Sequence, residues 1–180
     1  MAYDKKKAWR QWQNGVNNAQ GHLFEGCIKT ACLIYAEKER AQIEKTPEPF
    51  RVLSKGRDGT FSGRFTALAQ PDFQGTLAGG RAIVFEAKYT TTDRMKREAL
   101  TKEQMDALDR HHRMGAQAAV CVGIRDSCFF VPWVVWDRMK ERFGRKYVTE
   151  RDLEPFQVRF NGAVMFLDYK SPERAEGVCE

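Results

Sequence analysis

The stretch Ala82-Ile83-Val84-Phe85-Glu86-Ala87-Lys88-Tyr89 decides how this chain is read. Its β-branched and aromatic content marks a strand. Successive strand residues point to opposite faces, so Ile83, Phe85, Ala87 and Tyr89 form one apolar face while Glu86 and Lys88 project together from the other. Ala82 and Val84 share the face of Glu86 and Lys88. The strand is therefore apolar on both sides at its start and charged only near its end, as expected of a mostly buried strand whose tip opens into a cleft.

Upstream, Pro71-Asp72 precedes a Gly-punctuated segment, residues 73–85, that leads to Glu86 within this run. Asp72, Glu86 and Lys88 then bring two carboxylates and an amine to one strand tip. A carboxylate pair suits a hard cation such as Mg²⁺, which takes oxygen ligands at about 2.0–2.1 Å and keeps several of its waters. A lysine beside it adds positive charge where a water is activated or a phosphorane stabilised. Taken singly, Pro-Asp is ordinary turn chemistry and Glu-x-Lys is common on solvated strand faces; the buried context of the strand gives the trio its meaning.

The 180-residue length suits one well-buried domain. Apolar residues make up 42% and charged residues 30%, with 12 Phe and 4 Trp, a composition that excludes a disordered chain. Lys and Arg total 30 against 24 acidic residues, a net charge of +6. The excess is clustered: Lys5-Lys6-Lys7 with Arg10, then Arg51, Lys55, Arg57 and Arg64 around a Gly-rich hairpin, then Arg138 to Arg151. Such clusters fit a polyanionic partner, although a solvated surface explains charge runs as well. Five cysteines without C-x-x-C spacing argue against a disulfide framework or zinc ribbon and for a reducing, cytoplasmic setting. No signal peptide or membrane-spanning run is legible.

Along the chain, Asn14-Gly15 and Asn17-Asn18 discourage a long helix, so residues 1–20 read as a flexible N-terminal arm carrying Trp9 and Trp12. Residues 21–170 read as a single domain and 171–180 as a tail. Apolar positions from Phe24 to Ile43 recur at helical spacing, predicting a helix over 21–45 that Pro47 and Pro49 stop. Residues 50–54 and 60–69 read as a hairpin about the turn at 56–59, with Gly75, Gly79 and Gly80 as turn glycines after Asp72. Thr101-Lys102-Glu103-Gln104 is a capping box, starting a helix that ends near Gly115. Strands over 118–124 and 128–131 joined by a turn at Arg125-Asp126-Ser127, a helix over 134–143, a turn at Gly144-Arg145-Lys146, a short helix after Thr149 and a strand over 163–167 follow. The fold class is α/β: a mixed sheet flanked by helices, with no Gly-rich phosphate fingerprint after its first strand.

Leu23-Phe24-Glu25 on the first helix, Lys45-Thr46-Pro47, Asp72-Phe73-Gln74-Gly75, Phe85-Glu86-Ala87-Lys88, Gln104 of the next helix, and Gly144-Arg145-Lys146 ahead of Asp152-Leu153 occur in that order. On these pieces the chain resembles the restriction-endonuclease-like PD-(D/E)XK nucleases, and among them the Holliday junction resolvases of the RecU type, including phage-encoded relatives. Phe-Glu-Ala-Lys with the upstream Asp-x-x-Gly is the most specific piece. Two departures stand out. Gln70-Pro71 replaces the hydroxyl residues that such resolvases commonly carry before the metal aspartate, and their protruding stalk corresponds to a shorter hairpin over about 55–69.

The resemblance implies a restriction-endonuclease-like fold and Mg²⁺-dependent cleavage of phosphodiester bonds in four-way junctions, with Mn²⁺ able to substitute. It implies that Asp72 and Glu86 bind metal, that Lys88 orients or activates the attacking water, that Glu25 completes the metal shell directly or through a water, and that Gln104 steadies the site or the scissile phosphate. Glu25 could instead pair with Lys29 four residues on, and Gln104 could serve its capping box alone. Lys55, Arg57 and Arg64 in the stalk and Arg142, Arg145 and Lys146 would grip DNA phosphates without reading sequence. His22, His111 and His112 show no useful ligand spacing. A symmetric junction implies a homodimer; recombination partners are left open. The competing readings are a nuclease of the same superfamily acting on flaps, ends or duplex, a non-cleaving branched-DNA clamp, and a protein-interaction scaffold.

Overall fold

The computed structural model describes residues 5–47, 50–56, 58–65 and 70–170, with side chains left out at 5–18, 50–52, 55, 61, 64 and 65. Helix α1 spans Lys5–Glu37, and the strands β1 (Ala41–Lys45), β2 (Phe50–Lys55), β3 (Phe61–Phe65), β4 (Phe73–Leu77), β5 (Ala82–Thr90) and β6 (Arg94–Lys96) follow it. Then come a 3₁₀ turn (Arg97–Ala99), α2 (Lys102–Arg113), β7 (Gln117–Ile124), β8 (Ser127–Pro132), α3 (Trp133–Asp137), α4 (Met139–Phe143) and β9 (Tyr147–Thr149). A second 3₁₀ turn (Glu154–Phe156), β10 (Val158–Phe160) and β11 (Val164–Tyr169) complete the order.

Five strands form the central sheet in the order β1-β4-β5-β7-β8. Only β5 and β7 run parallel, and the crossover between them carries α2, as a parallel pair requires. The alternation read from the sequence sets the two layers. Ile83, Phe85 and Ala87 of β5 pack with Phe24, Ile28 and Tyr35 of α1, whereas Val84 of β5 packs with Leu108 of α2 and with Val120 and Val122 of β7. Phe85 anchors the first layer, its ring stacked on Phe73 at 5.0 Å and edge-on to Phe130 at 5.3 Å. Burying each such side chain stabilises the fold by about 1.5–3 kcal/mol.

Four expectations change. Residues 5–20, expected as an arm, belong to α1, because Gly15 in a helix interior costs only about 1 kcal/mol relative to Ala, and a 33-residue helix absorbs that. The same helix ends at Glu37 instead of Lys45. Glu39 takes a left-handed φ of 53° and the Arg40 N–H donates to Tyr35 O at 2.9 Å, which closes the last turn. Beyond it, buried Ala41 and Ile43 alternate with exposed Gln42 and Glu44, a strand period that the helical reading of Ile43 overlooked. Gly75 is a strand residue of β4, whereas Gly79 and Gly80, with φ of 89° and 88°, do form the β4–β5 turn. The helix expected over 134–143 breaks at Arg138 into α3 and α4.

Short strands β6, β9 and β10 carried too few residues to show a period. The hairpin of the expected stalk exists as the antiparallel pair β2–β3, whose register sets Phe50 opposite Phe65. Residues 66–69 of that stalk and the tail at 171–180 lie outside the described residues. Among the described residues no helix is long and apolar enough to cross a membrane.

Candidate active site

Register brings the two acids together. In the antiparallel β4–β5 pair Phe73 faces Phe85, so Asp72, one residue before β4, falls opposite Glu86. The Ala87 N–H donates to Asp72 Oδ2 at 2.9 Å, which aims that carboxylate across the strand, and the Thr46 N–H donates to the Asp72 backbone carbonyl at 2.9 Å. Lys88 Nζ stands 3.2 Å from Glu86 Oε2 and 3.7 Å from Asp72 Oδ2, between the two acids. The trio expected at the strand tip is assembled.

Glu86 is fully buried, and its Oε1 has no hydrogen-bond partner among the described residues. Burial, followed by the Asp72 charge, pushes its carboxyl from 4.5 up to about 8, while Lys88 pulls in the opposite direction. Gln104 makes both of the contacts weighed for it. Its Nε2 donates to Glu86 Oε2 at 2.5 Å while its Oε1 accepts the Thr101 N–H at 3.1 Å, so the capping box of α2 also aims an amide into the site.

Glu25 does not pair with Lys29. The Lys45 ammonium reaches it from β1, and the two are directly bonded. Among the described residues, no group of three His, Cys, Asp or Glu side chains lies close enough to hold a metal, so neither Glu25 nor any histidine joins Asp72 and Glu86 in a cluster. The pair fits a hard divalent cation on chemical grounds: oxygen donors only, one of them a buried carboxylate oxygen without a partner.

The expected phosphate-gripping residues separate into three groups. Arg142 and Lys146 are exposed. Arg145 is held internally, its Nη2 on Asp152 Oδ2 at 2.5 Å, its Nη1 on Phe143 O at 3.1 Å and its guanidinium over the Tyr147 ring. Asp152 further accepts the Thr149 N–H and hydroxyl at 2.8 and 2.7 Å. Burial pushes the Asp152 carboxyl up, but these bonds and Arg145 outweigh it and leave the group below the usual range. The Gly-Arg-Lys piece thus supplies a structural clamp whose signal, an aspartate seven residues on, was present in the sequence. Lys55 and Arg64 sit on β2 and β3 with side chains outside the description, and Arg57 lies outside the described residues.

A mixed five-stranded sheet thus sets Asp72, Glu86 and Lys88 at a strand tip against the glutamine of α2. The family described as RecU: Recombination protein U matches residues 19–171, and the chain belongs to it. It is accordingly a Holliday junction resolvase, a nuclease acting on branched DNA. Among solved structures, the chain is similar to Hjc, a Holliday junction resolvase from the archaeal hyperthermophile Archaeoglobus fulgidus. That likeness has 17% identity and a TM-score of 0.43, covering 70% of this chain and 88% of the other. No curated protein matches the chain.

Proposed function

We propose that the chain resolves four-way DNA junctions with Mg²⁺ held by Asp72 and Glu86, Mn²⁺ serving in its place. The observation that carries this reading is Glu86 Oε1, a buried carboxylate oxygen without a partner next to a second carboxylate. An isolated buried charge of that kind is costly, and a bound cation offsets the cost. When bound, Mg²⁺ supplies Lewis acidity toward the scissile phosphate and acidifies a coordinated water.

This chain's own residues do the rest. The Ala87 N–H and the Gln104 amide fix the directions of the Asp72 and Glu86 carboxylates. Lys88, between them, orients the attacking water and offsets the charge that develops on the phosphate as a 5′-phosphate and a 3′-hydroxyl are formed. Exposed Arg142 and Lys146 meet DNA phosphates. Cutting both strands of a symmetric junction requires two sites related by the same two-fold axis, so the working unit is a C₂ homodimer acting in the cytoplasm.

The test uses labelled substrates with and without Mg²⁺. The wild-type protein should cut a mobile four-way junction and spare linear duplex and flaps, while Asp72→Asn and Glu86→Gln should bind the junction without cutting it. Undiminished Mg²⁺-dependent cutting by Asp72→Asn would refute the site; equal cutting of duplex and flaps would refute junction preference.

A further inference from the structure

On β5 the residues Glu86, Lys88 and Thr90 share one face, and at about 3.3 Å per residue Thr90 lies about 7 Å beyond Lys88. There the chain opens into a cavity of about 560 Å³ lined by Thr90, Thr92, Asp93, Arg94, Lys96 and Glu98. From Glu86 itself, four residues back, the distance is about 13 Å, and one strand of duplex DNA advances about 3.4 Å along the axis per nucleotide, which sets this cavity about four nucleotides from a phosphate at the Asp72–Glu86 pair.

The wall of the cavity is β6, paired with β9. Buried Met95 and Val148 face each other and anchor this two-stranded piece to the core, so Arg94 and Lys96, on either side of Met95, turn outward. The Arg94 guanidinium carbon lies 5.1 Å from the centre of the Tyr147 ring, and that of Arg145 lies 4.9 Å from it. Asp152 fixes Arg145, Arg145 and the strand pairing fix Tyr147, and Tyr147 holds Arg94 in place. An exposed arginine normally loses rotamer freedom when it binds; this one is already ordered.

Arg94 also carries an occupant of its own. Its Nε and Nη2 take both oxygens of Asp93 at 2.8 and 2.9 Å, with the two side chains 46% and 49% exposed. That two-point geometry is the one by which a guanidinium grips a phosphate. An ion pair this exposed is worth little, so a phosphate displaces it readily.

We propose that Arg94, propped on Tyr147 beside the Thr90–Glu98 cavity, binds a backbone phosphate of the DNA arm flanking the cut site, and that Asp93 is the intramolecular carboxylate it exchanges for that phosphate. The inference rests on the branched-DNA reading and adds a contact outside the acid pair. It predicts opposite effects for two neighbouring residues, which a purely structural Asp93–Arg94 bridge would not give.

The experiment measures the Kd of a labelled four-way junction in EDTA across a salt series for wild type, Arg94→Gln and Asp93→Asn, each checked by thermal melting. Arg94→Gln should weaken binding about tenfold and lower the salt slope by about one. Asp93→Asn should tighten binding about threefold, the gain expected from removing a weak competing carboxylate. Wild-type Kd and slope in Arg94→Gln would overturn the inference, and so would weakening by Asp93→Asn. Failure of the wild-type protein to bind any junction would overturn the branched-DNA reading itself, and the inference with it.

Discussion

Gln104 Nε2 stands 2.5 Å from Glu86 Oε2 while the same side chain closes the cap of α2 through Thr101. The start of a helix and the aim of a buried carboxylate are therefore set by one amide. Helix α2 cannot fray or rotate at its first turn without releasing Glu86.

That linkage separates two variants. Thr101→Ala removes a cap contact and should cost about 1 kcal/mol in urea unfolding with little change in the cleavage rate. Gln104→Ala removes a cap contact and the Glu86 bond together; it should cost a similar amount of stability yet slow single-turnover cleavage at least tenfold, about 1.4 kcal/mol of barrier. Equal rates in the two variants would show that Gln104 serves the helix alone.

The raised carboxyl of Glu86 makes metal-free stability depend on pH with a definite sign. The unfolded chain releases that proton near 4.5 and the folded chain near 8, so stability falls as pH rises through this window and the loss is complete above it. Glu86→Gln has no such proton to lose. In EDTA at pH 8.5 it should melt at least roughly 3 °C above wild type, since one pKa unit is about 1.4 kcal/mol and each kcal/mol moves the midpoint by about 2–4 °C. The difference should vanish at pH 4, and added Mg²⁺ should raise the wild-type midpoint but not that of the variant.

Gly75 lets β1 approach β4. A Cβ built there would lie 2.0 Å from Gln42 O and 2.6 Å from Ile43 Cα, both backbone atoms that a side-chain rotation cannot move. Gly75→Ala should cost about 1–3 kcal/mol or more and displace β1. Because Thr46, just past β1, donates to the Asp72 carbonyl, cleavage should fall along with the melting temperature.

Asp152 joins Arg145 to the start of the loop after β9. Asp152→Ala leaves the Arg145 guanidinium without its carboxylate and should cost about 1.5–3 kcal/mol by urea unfolding. Arg145→Gln should resemble it in stability. A loss of junction affinity by Arg145→Gln far larger than that of Asp152→Ala would instead make Arg145 a direct DNA contact.

The sequence by itself determined whatever repeats within a few residues. The two faces of β5, the capping box of α2 and the turn between β7 and β8 all follow from a period or a local bond, and each is found in the structure, whereas the approach of Asp72 to Glu86 and Lys88 is completed by the register of β4 on β5. Three-residue strands such as β6 and β9 are too short to show a period, and Ala41–Lys45 carried a strand pattern masked by the helical spacing before it. Tertiary structure alone decided which long side chains meet. Lys45 reaches Glu25 across 20 positions, Gln104 reaches Glu86 across 18, and Arg145 turns inward to Asp152 while Arg94 turns outward over Tyr147. A charged side chain takes the partner that burial and strand register bring within hydrogen-bond reach, and neither is encoded in the spacing of any one segment.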